Sequence, residues 1–414
     1  MTAVIGSSEK TETRSMSEVW VVTIGHALTH WYPATFYVLL PLIGSEMGLT
    51  YGQIGIILTS QYIAGAISNL PGGMFVDSVG RKGLLMATSL FWIGVPYFIM
   101  GFSSAYWVIV TCAALIGIGN NLWHPTAIPW LGQRYPDRKG LVMAWHGMGG
   151  NVGDALAPLA AGALITYLLL SWRQVMMINI LPGIAMAILI LWYLGKSTAD
   201  PKKGAAGAPQ LSALEVLKSL PSLFRNKTLV FLSTSSAFRS MTQNGLMAFL
   251  PLYLAKEMGY SPWSVGLCMF LLQAAGFIAA PIAGHMSDKM GRRNVIMSSM
   301  IMTCAVLAFM IFAGRSPLFV AFIALLGFFL FAIRPVLQAW LLDATPKNLG
   351  GSAIGTMFGI QAAGSAIGPL ICGAIADKYG LLSTFWFLAV SIILANLLVF
   401  IMPATPQEQA ARAA

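Results

Sequence analysis

The chain has 414 residues, of which 57% are hydrophobic and only 9% charged, and its mean hydropathy is +0.75. A soluble domain carries roughly 25% charged residues, so this chain cannot cover itself with a hydrated surface. An integral membrane protein is indicated and a soluble enzyme is excluded. The formal net charge of +10 does not indicate a nucleic-acid partner, because the basic residues fall in short runs between apolar stretches rather than on one soluble face.

The N-terminus, MTAVIGSSEKTETRSMSE, is polar and of mixed charge, so it is no cleavable signal peptide, and the first apolar run is expected to direct insertion. A spanning helix needs about 20 apolar residues. Twelve such runs follow, at 18–43, 53–76, 83–102, 106–131, 140–168, 172–195, 228–253, 262–286, 294–314, 317–342, 350–376 and 381–403. The one long connection, 196–227, is rich in Pro, Gly, Ala and basic residues and reads as a linker with a surface helix near Leu211 to Phe224. The expected fold is an all-α membrane protein with twelve transmembrane helices in two pseudo-symmetric six-helix bundles, 18–195 and 228–403, flanked by tails 1–17 and 404–414. Cys112, Cys268, Cys304 and Cys372 each lie inside an apolar segment without CxxC spacing, so neither a metal site nor a disulfide framework is indicated, and no cofactor is expected.

Of the 24 Lys and Arg, 18 fall on the side of the tails and linker, while Arg173, Lys256, Arg315 and Lys378 fall on the other and Arg239 and Arg334 lie within spans. The positive-inside rule then puts both termini in the cytoplasm, in a multi-pass protein of the cytoplasmic (inner) membrane. That topology keeps the sequon Asn226-Lys227-Thr228 away from glycosylation.

Comparing the halves exposes a duplication. Glu46-Met47-Gly48 recurs as Glu257-Met258-Gly259, Gly65 as Gly276, Asp77 with Gly80-Arg81 as Asp288 with Gly291-Arg292, and Gly153, Pro158 and Gly162 as Gly364, Pro369 and Gly373, always 211 apart. In the fourth and tenth spans the offset is 210, as in Pro125 and Pro335. Parallel repeats about an axis along the membrane normal are one transporter architecture, with substrate held between the halves near the bilayer midplane.

The repeated loop reads Gly73-Met-Phe-Val-Asp77-Ser-Val-Gly80-Arg81-Lys82 in the first half and Gly284-His-Met-Ser-Asp288-Lys-Met-Gly291-Arg292-Arg293 in the second. Both resemble the G-x-x-x-D-[RK]-x-G-R-[RK] signature of the major facilitator superfamily, with Ser78 departing from the usual basic residue. The resemblance covers the whole chain. It implies that Asp77, Arg81, Asp288 and Arg292 gate the halves without touching substrate; an Asp at a helix end beside basic residues can pair across one face and hold one conformer. Topology-setting charge is the plainer explanation of the same residues. The run Gly117-Ile-Gly119-Asn-Asn-Leu-Trp-His124-Pro125, with His146-Gly-Met-Gly149-Gly150-Asn151-Val-Gly153 and Ala157-Pro158-Leu159, resembles the fosmidomycin-resistance branch, which contains exporters. The Gly-rich fifth span also resembles the antiporter motif of drug–proton exchangers, although small residues serve close helix packing equally well.

An ionisable residue at the centre of a span costs roughly 2.5–3.5 kcal/mol and is a functional hypothesis by default. His26 and His30, Asn120 and His124, Arg239 and Gln243, and Arg334 and Gln338 are i, i+4 pairs on the first, fourth, seventh and tenth spans, each pair on one helix face. The resemblance implies that those spans line a central cavity. Gln361 on the eleventh span joins the candidates. Interhelical hydrogen bonding is the competing explanation for His26, Gln243 and Gln338. A guanidinium is always charged and matches carboxylate or phosphate, so Arg239 and Arg334 point to an anionic solute. Trp31, Tyr32, Trp123 and Trp340 lie near these residues, where they could stack on a substrate or simply pack. Asp154 is the deep acid, with Asn151 one turn before it, and is either a proton carrier or a counter-ion for a buried Arg; the histidines are the competing proton site.

The expected function is a secondary active transporter, monomeric and not an enzyme, moving a small organic anion by alternating access with protons or a counter-anion. The alternative is a drug or toxic-compound exporter of the proton antiport type. The chain has no G-x-x-x-x-G-K-[ST] loop for direct ATP drive.

Overall fold

The computed structural model describes residues 16–195, 225–345 and 350–402, without the side chains of 69–70, 73–74, 77–78 and 350–352. Among the described residues, twelve helical spans follow one another: α1 (Met16–Glu46), α2 (Tyr51–Ser78), α3 (Lys82–Phe102), α4 (Tyr106–Arg134), α5 (Lys139–Thr166), α6 (Trp172–Leu194), α7 (Lys227–Lys256), α8 (Pro262–Met290), α9 (Arg292–Ala313), α10 (Leu318–Asp343), α11 (Gly350–Tyr379) and α12 (Leu382–Ile401). Their ends lie within a few residues of those expected from hydropathy. The linker helix expected near 211–224, and most of both tails, lie outside the described residues.

Eight of the spans are long and apolar enough to cross a membrane on composition alone; α1, α2, α5 and α7 are not among them. Three of these carry the expected polar pairs or the Gly-rich face: His26 and His30 on α1, Arg239 and Gln243 on α7, and Gly147, Gly150 and Gly153 on α5. Outward faces are apolar, with Phe309, Phe312, Ile401 and Trp192 all more than half exposed, as hydrocarbon and headgroup contact requires.

The sixth span is not one continuous helix. It breaks at Asn179 into Trp172–Ile178 and Ile180–Leu194. Asn179 is buried; its side-chain amide donates to the Val175 carbonyl at 2.8 Å, its Oδ1 accepts from the Trp31 indole at 2.9 Å, and its carbonyl accepts from the Tyr32 hydroxyl at 3.0 Å. The Asn179 N–H still donates to the Val175 carbonyl at 3.1 Å, so the interruption is one residue wide, and the Asn179 side chain and carbonyl tie α6 to α1.

Within the first half α1 packs on α5 and α2 on α4; within the second, α7 packs on α11 and α8 on α10. The halves meet through α2 against α11 and α5 against α8, the same pair of surfaces exchanged. Glycines set how close they come. A side-chain carbon at Gly55 would lie 2.5 Å from the Pro369 carbonyl, and one at Gly266 would lie 2.3 Å from that of Pro158. Both residues of each pair recur at the 211-residue offset, so one contact is the two-fold image of the other.

Among the described residues, the junction is closed at one end. There the backbone N–H groups of Tyr51 and Gly52, at the start of α2, donate to the Asp377 carboxylate at 2.7 and 2.8 Å, and the N–H of Trp263, at the start of α8, donates to Thr166 Oγ1 at 3.0 Å. Asp377 and Thr166 are equivalents in the repeat, each occupying orphan donors of a helix N-terminus in the other half. Deeper, Tyr62 donates to Asn244 Oδ1 at 3.0 Å across the halves, and the Tyr37 hydroxyl, 2.6 Å from that of Tyr62, must donate to it because the Tyr62 proton is already committed. At the other end the same helices separate, and a side-chain carbon at Gly147, Gly284, Gly355 or Gly359 would meet nothing within 4 Å.

Candidate functional site: a central cavity between the halves

A cavity of about 390 Å³ lies below the closed junction. Its first wall carries His26 and His30 of α1, His124 of α4, and Gly147, Gly150, Asn151 and Asp154 of α5; its second carries Gln243 of α7, Gln273 and Phe277 of α8, and Phe331, Arg334 and Gln338 of α10. Glycine at 150 is required here. A side-chain carbon would sit 2.8 Å from His26 Cε1 and 3.0 Å from His30 Nε2, so only its absence lets α5 lie against the two rings.

The first wall is a network of imidazoles. His30 Nδ1 lies 2.9 Å from Asp154 Oδ2. His26 Nδ1 lies 2.5 Å from the His146 carbonyl oxygen, which can only accept, so that nitrogen carries the proton and Nε2 presents a lone pair to His124 Nε2 at 3.0 Å. The His146 ring stacks on His26 with centroids 3.8 Å apart. The second wall differs in kind. Arg334 is exposed on the cavity wall and makes no hydrogen bond or ion pair with another described residue.

The expected residues do not all reach the cavity. Arg239 is 1% exposed and is absent from the lining; it donates to Gln243 Oε1 at 2.6 Å and to Ser240 Oγ at 3.1 Å, so it stands behind Gln243. The i, i+4 spacing correctly gives the two a common helix face, but Arg239 is covered by packing. Trp31 turns to α6, where its N–H is held by Asn179. Tyr32, Trp123 and Trp340 are buried in side-chain packing, with Trp123 filling the space left by Gly25. Asn120 lies outside the lining, and Gln361 accepts a hydrogen bond from Ser236 at 3.2 Å. Gln273, Phe277, Phe331 and His146 were not singled out from the sequence. His146 was visible as one of only five histidines in the chain.

Of the loop residues, Arg292 pairs with Asp288 at 2.5 Å and with Asp343 at 3.2 Å, all within the second half, while Arg81 is exposed and the Asp77 side chain lies outside the described residues. These loops lie at the open end.

Two six-helix halves around a central cavity closed at one end define a membrane transporter. The model of the Major Facilitator Superfamily matches residues 20–286 and 232–414, and the chain belongs to that superfamily. It is 24% identical over 411 residues to the phosphoglycerate transporter protein of Salmonella typhimurium, covering 92% of this chain and 87% of that one. It is 22% identical over 381 residues to the fosmidomycin resistance protein of Escherichia coli, covering 92% and 91%. Among solved structures, a bacterial homologue of the human lysosomal transporter Spinster, in an inward-facing and unoccupied conformation, superposes with a TM-score of 0.80 at 14% identity, covering 96% of this chain and all of the other. The chain is therefore a transporter rather than an enzyme.

Proposed function

We propose that the protein is a secondary active transporter that moves a small organic anion across the cytoplasmic membrane by alternating access, coupled to protons or to a counter-anion. The observation that carries this reading is Arg334, a cavity-facing guanidinium without a protein partner among the described residues. Asp154 across the cavity acts on this cation only through space, without a direct ion pair, so the Arg334 donors remain available to an anion that enters, and the guanidinium fork suits carboxylate or phosphate. His124, Gln243 and Gln338 add hydrogen-bonding groups around it, and His30 faces it from the first wall. Arg239 acts as a positioning residue through Gln243. Asp154, bonded to His30, is the coupling candidate, because a carboxyl and an imidazole sharing one hydrogen bond can pass a proton. The phosphoglycerate relative supports an anionic substrate.

The two bundles, 18–195 and 228–403, work as the moving units about the linker 196–227, in a monomer with both termini in the cytoplasm; the excess of Lys and Arg on that side supports this orientation. The closed junction then faces outside and the cavity opens to the cytoplasm. Asp77, Arg81, Asp288 and Arg292 engage across the halves when the cavity opens to the other side.

Phe277 and Phe331 on the cavity wall favour a second reading, proton-driven export of an aromatic drug or toxic compound. Counterflow in proteoliposomes against a panel of phosphorylated acids, carboxylic acids, amines and neutral aromatic drugs separates the two. The anion reading expects exchange with acids only. Exchange confined to amines or neutral aromatics would replace it with drug export.

A further inference from the structure

We infer that His26, His124 and His146 form a binding site for a divalent transition-metal cation of the zinc class. The three histidines come from α1, α4 and α5, and one ring nitrogen from each lies within 4.8 Å of the others. A four-coordinate zinc with Zn–N bonds of about 2.0–2.1 Å holds its ligand nitrogens roughly 3.3 Å apart, and the His26 and His124 Nε2 atoms already stand at 3.0 Å.

Three features distinguish this cluster from imidazoles that merely satisfy one another. Both ring nitrogens of His146 lack a hydrogen-bond partner although the residue is only 4% exposed. Leaving buried polar atoms unpaired is costly, and turning this ring toward the other two would break no hydrogen bond. The second feature is the His146 carbonyl, which accepts from His26 Nδ1 and so fixes the His26 tautomer with Nε2 bare, the arrangement that orients metal-bound histidines elsewhere. The third is geometric: His26 and His124 line the cavity while His146 lies behind them, so a cation held by the three nitrogens would keep a coordination position open to the lumen.

His124, which must supply the N–H between itself and His26 in the metal-free protein, changes tautomer on loading and presents Nε2 as a lone pair. Imidazole nitrogens select Zn²⁺, Co²⁺, Ni²⁺ and Cu²⁺ over Mg²⁺ and Ca²⁺. Asp154, bonded to His30 beside the cluster, is the carboxylate on the same wall that offsets the added charge. The site does not depend on which organic solute is carried.

The test is titration of the purified full-length protein with Co²⁺ at neutral pH, followed by its visible ligand-field bands, without organic solute. The site predicts one Co²⁺ per chain with the intense spectrum of a four-coordinate nitrogen site, displaced by Zn²⁺ and untouched by Mg²⁺. His124→Gln and His146→Ala should each weaken binding at least tenfold, whereas His285→Ala, the exposed fifth histidine, should leave it unchanged. Zn²⁺ should also raise the thermal midpoint of the wild type, by linkage, and not that of His124→Gln; this comparison holds even if His146→Ala fails to fold. A pale six-coordinate spectrum in the wild type, or equal loss of binding in His285→Ala, would overturn the site.

Discussion

Ser45 accepts a hydrogen bond from the Lys256 ammonium across the junction between the halves, and the two residues stand 211 positions apart in the chain. Equivalent residues of a two-fold repeat meet each other only at the axis, so this contact marks where the pseudo-two-fold axis leaves the closed end. Around it, Asp377 of α11, capping α2, and Thr166 of α5, capping α8, make the exchanged pair of caps.

If those caps hold the closed end shut, Asp377→Ala should shift the protein toward the opposite conformer. Exposed charged contacts are worth roughly 0.2–1 kcal/mol, so a change of a few fold in population is expected. Electron spin distances between labels at Ala105 and Leu318, on exposed ends of the two halves, would lengthen. Unchanged distances would remove the caps from the gating account.

At the open end, Arg292 is held by Asp288 and Asp343 within its own half. Asp288→Asn should slow transport and redistribute the conformers while leaving equilibrium affinity within a few fold. Loss of binding with unchanged populations would contradict a gating role.

The His30–Asp154 pair predicts a separable coupling step. Asp154→Asn should abolish proton-driven accumulation in energised vesicles yet spare solute exchange in their absence. Full proton-driven accumulation in that variant would move the role to the histidines or remove proton coupling.

Trp31 is held by Asn179 rather than by the cavity. Trp31→Phe should therefore leave solute affinity unchanged within about twofold and lower thermal stability, because the buried Asn179 oxygen loses its donor, a loss of about 1–3 kcal/mol. A large drop in affinity with unaltered stability would return Trp31 to the binding site.

Much of this architecture is legible in the sequence because a bilayer simplifies the physics. Apolar run length fixes the spans, and the 211-residue offset anticipates two equivalent halves; that Gly55 meets Pro369 and Gly266 meets Pro158 is seen only in the packing. The i, i+4 pairs of α1 and α10 both reach the cavity, since all four residues line it. What the sequence cannot carry is depth and rotation. Arg239 shares a face with Gln243 and is still covered, and Trp31 sits beside His30 in the chain yet points to another helix. The imidazole cluster is invisible for the same reason: His26, His124 and His146 are far apart in the chain, and only the packing of α1, α4 and α5 brings them together. The break at Asn179 depends on partners from α1, which local hydropathy does not register.

The central claim is that Arg334 binds the transported anion, and equilibrium binding of a counterflow-active organic acid to purified wild type, Arg334→Lys and Arg334→Gln tests it most directly. Removing one partner of a buried charged contact costs about 2 kcal/mol or more, at least roughly 30-fold in affinity. Arg334→Gln should therefore lose measurable binding while still purifying as folded protein, and Arg334→Lys should recover only part, because an ammonium lacks the planar fork. Wild-type affinity in Arg334→Gln would contradict the anion site.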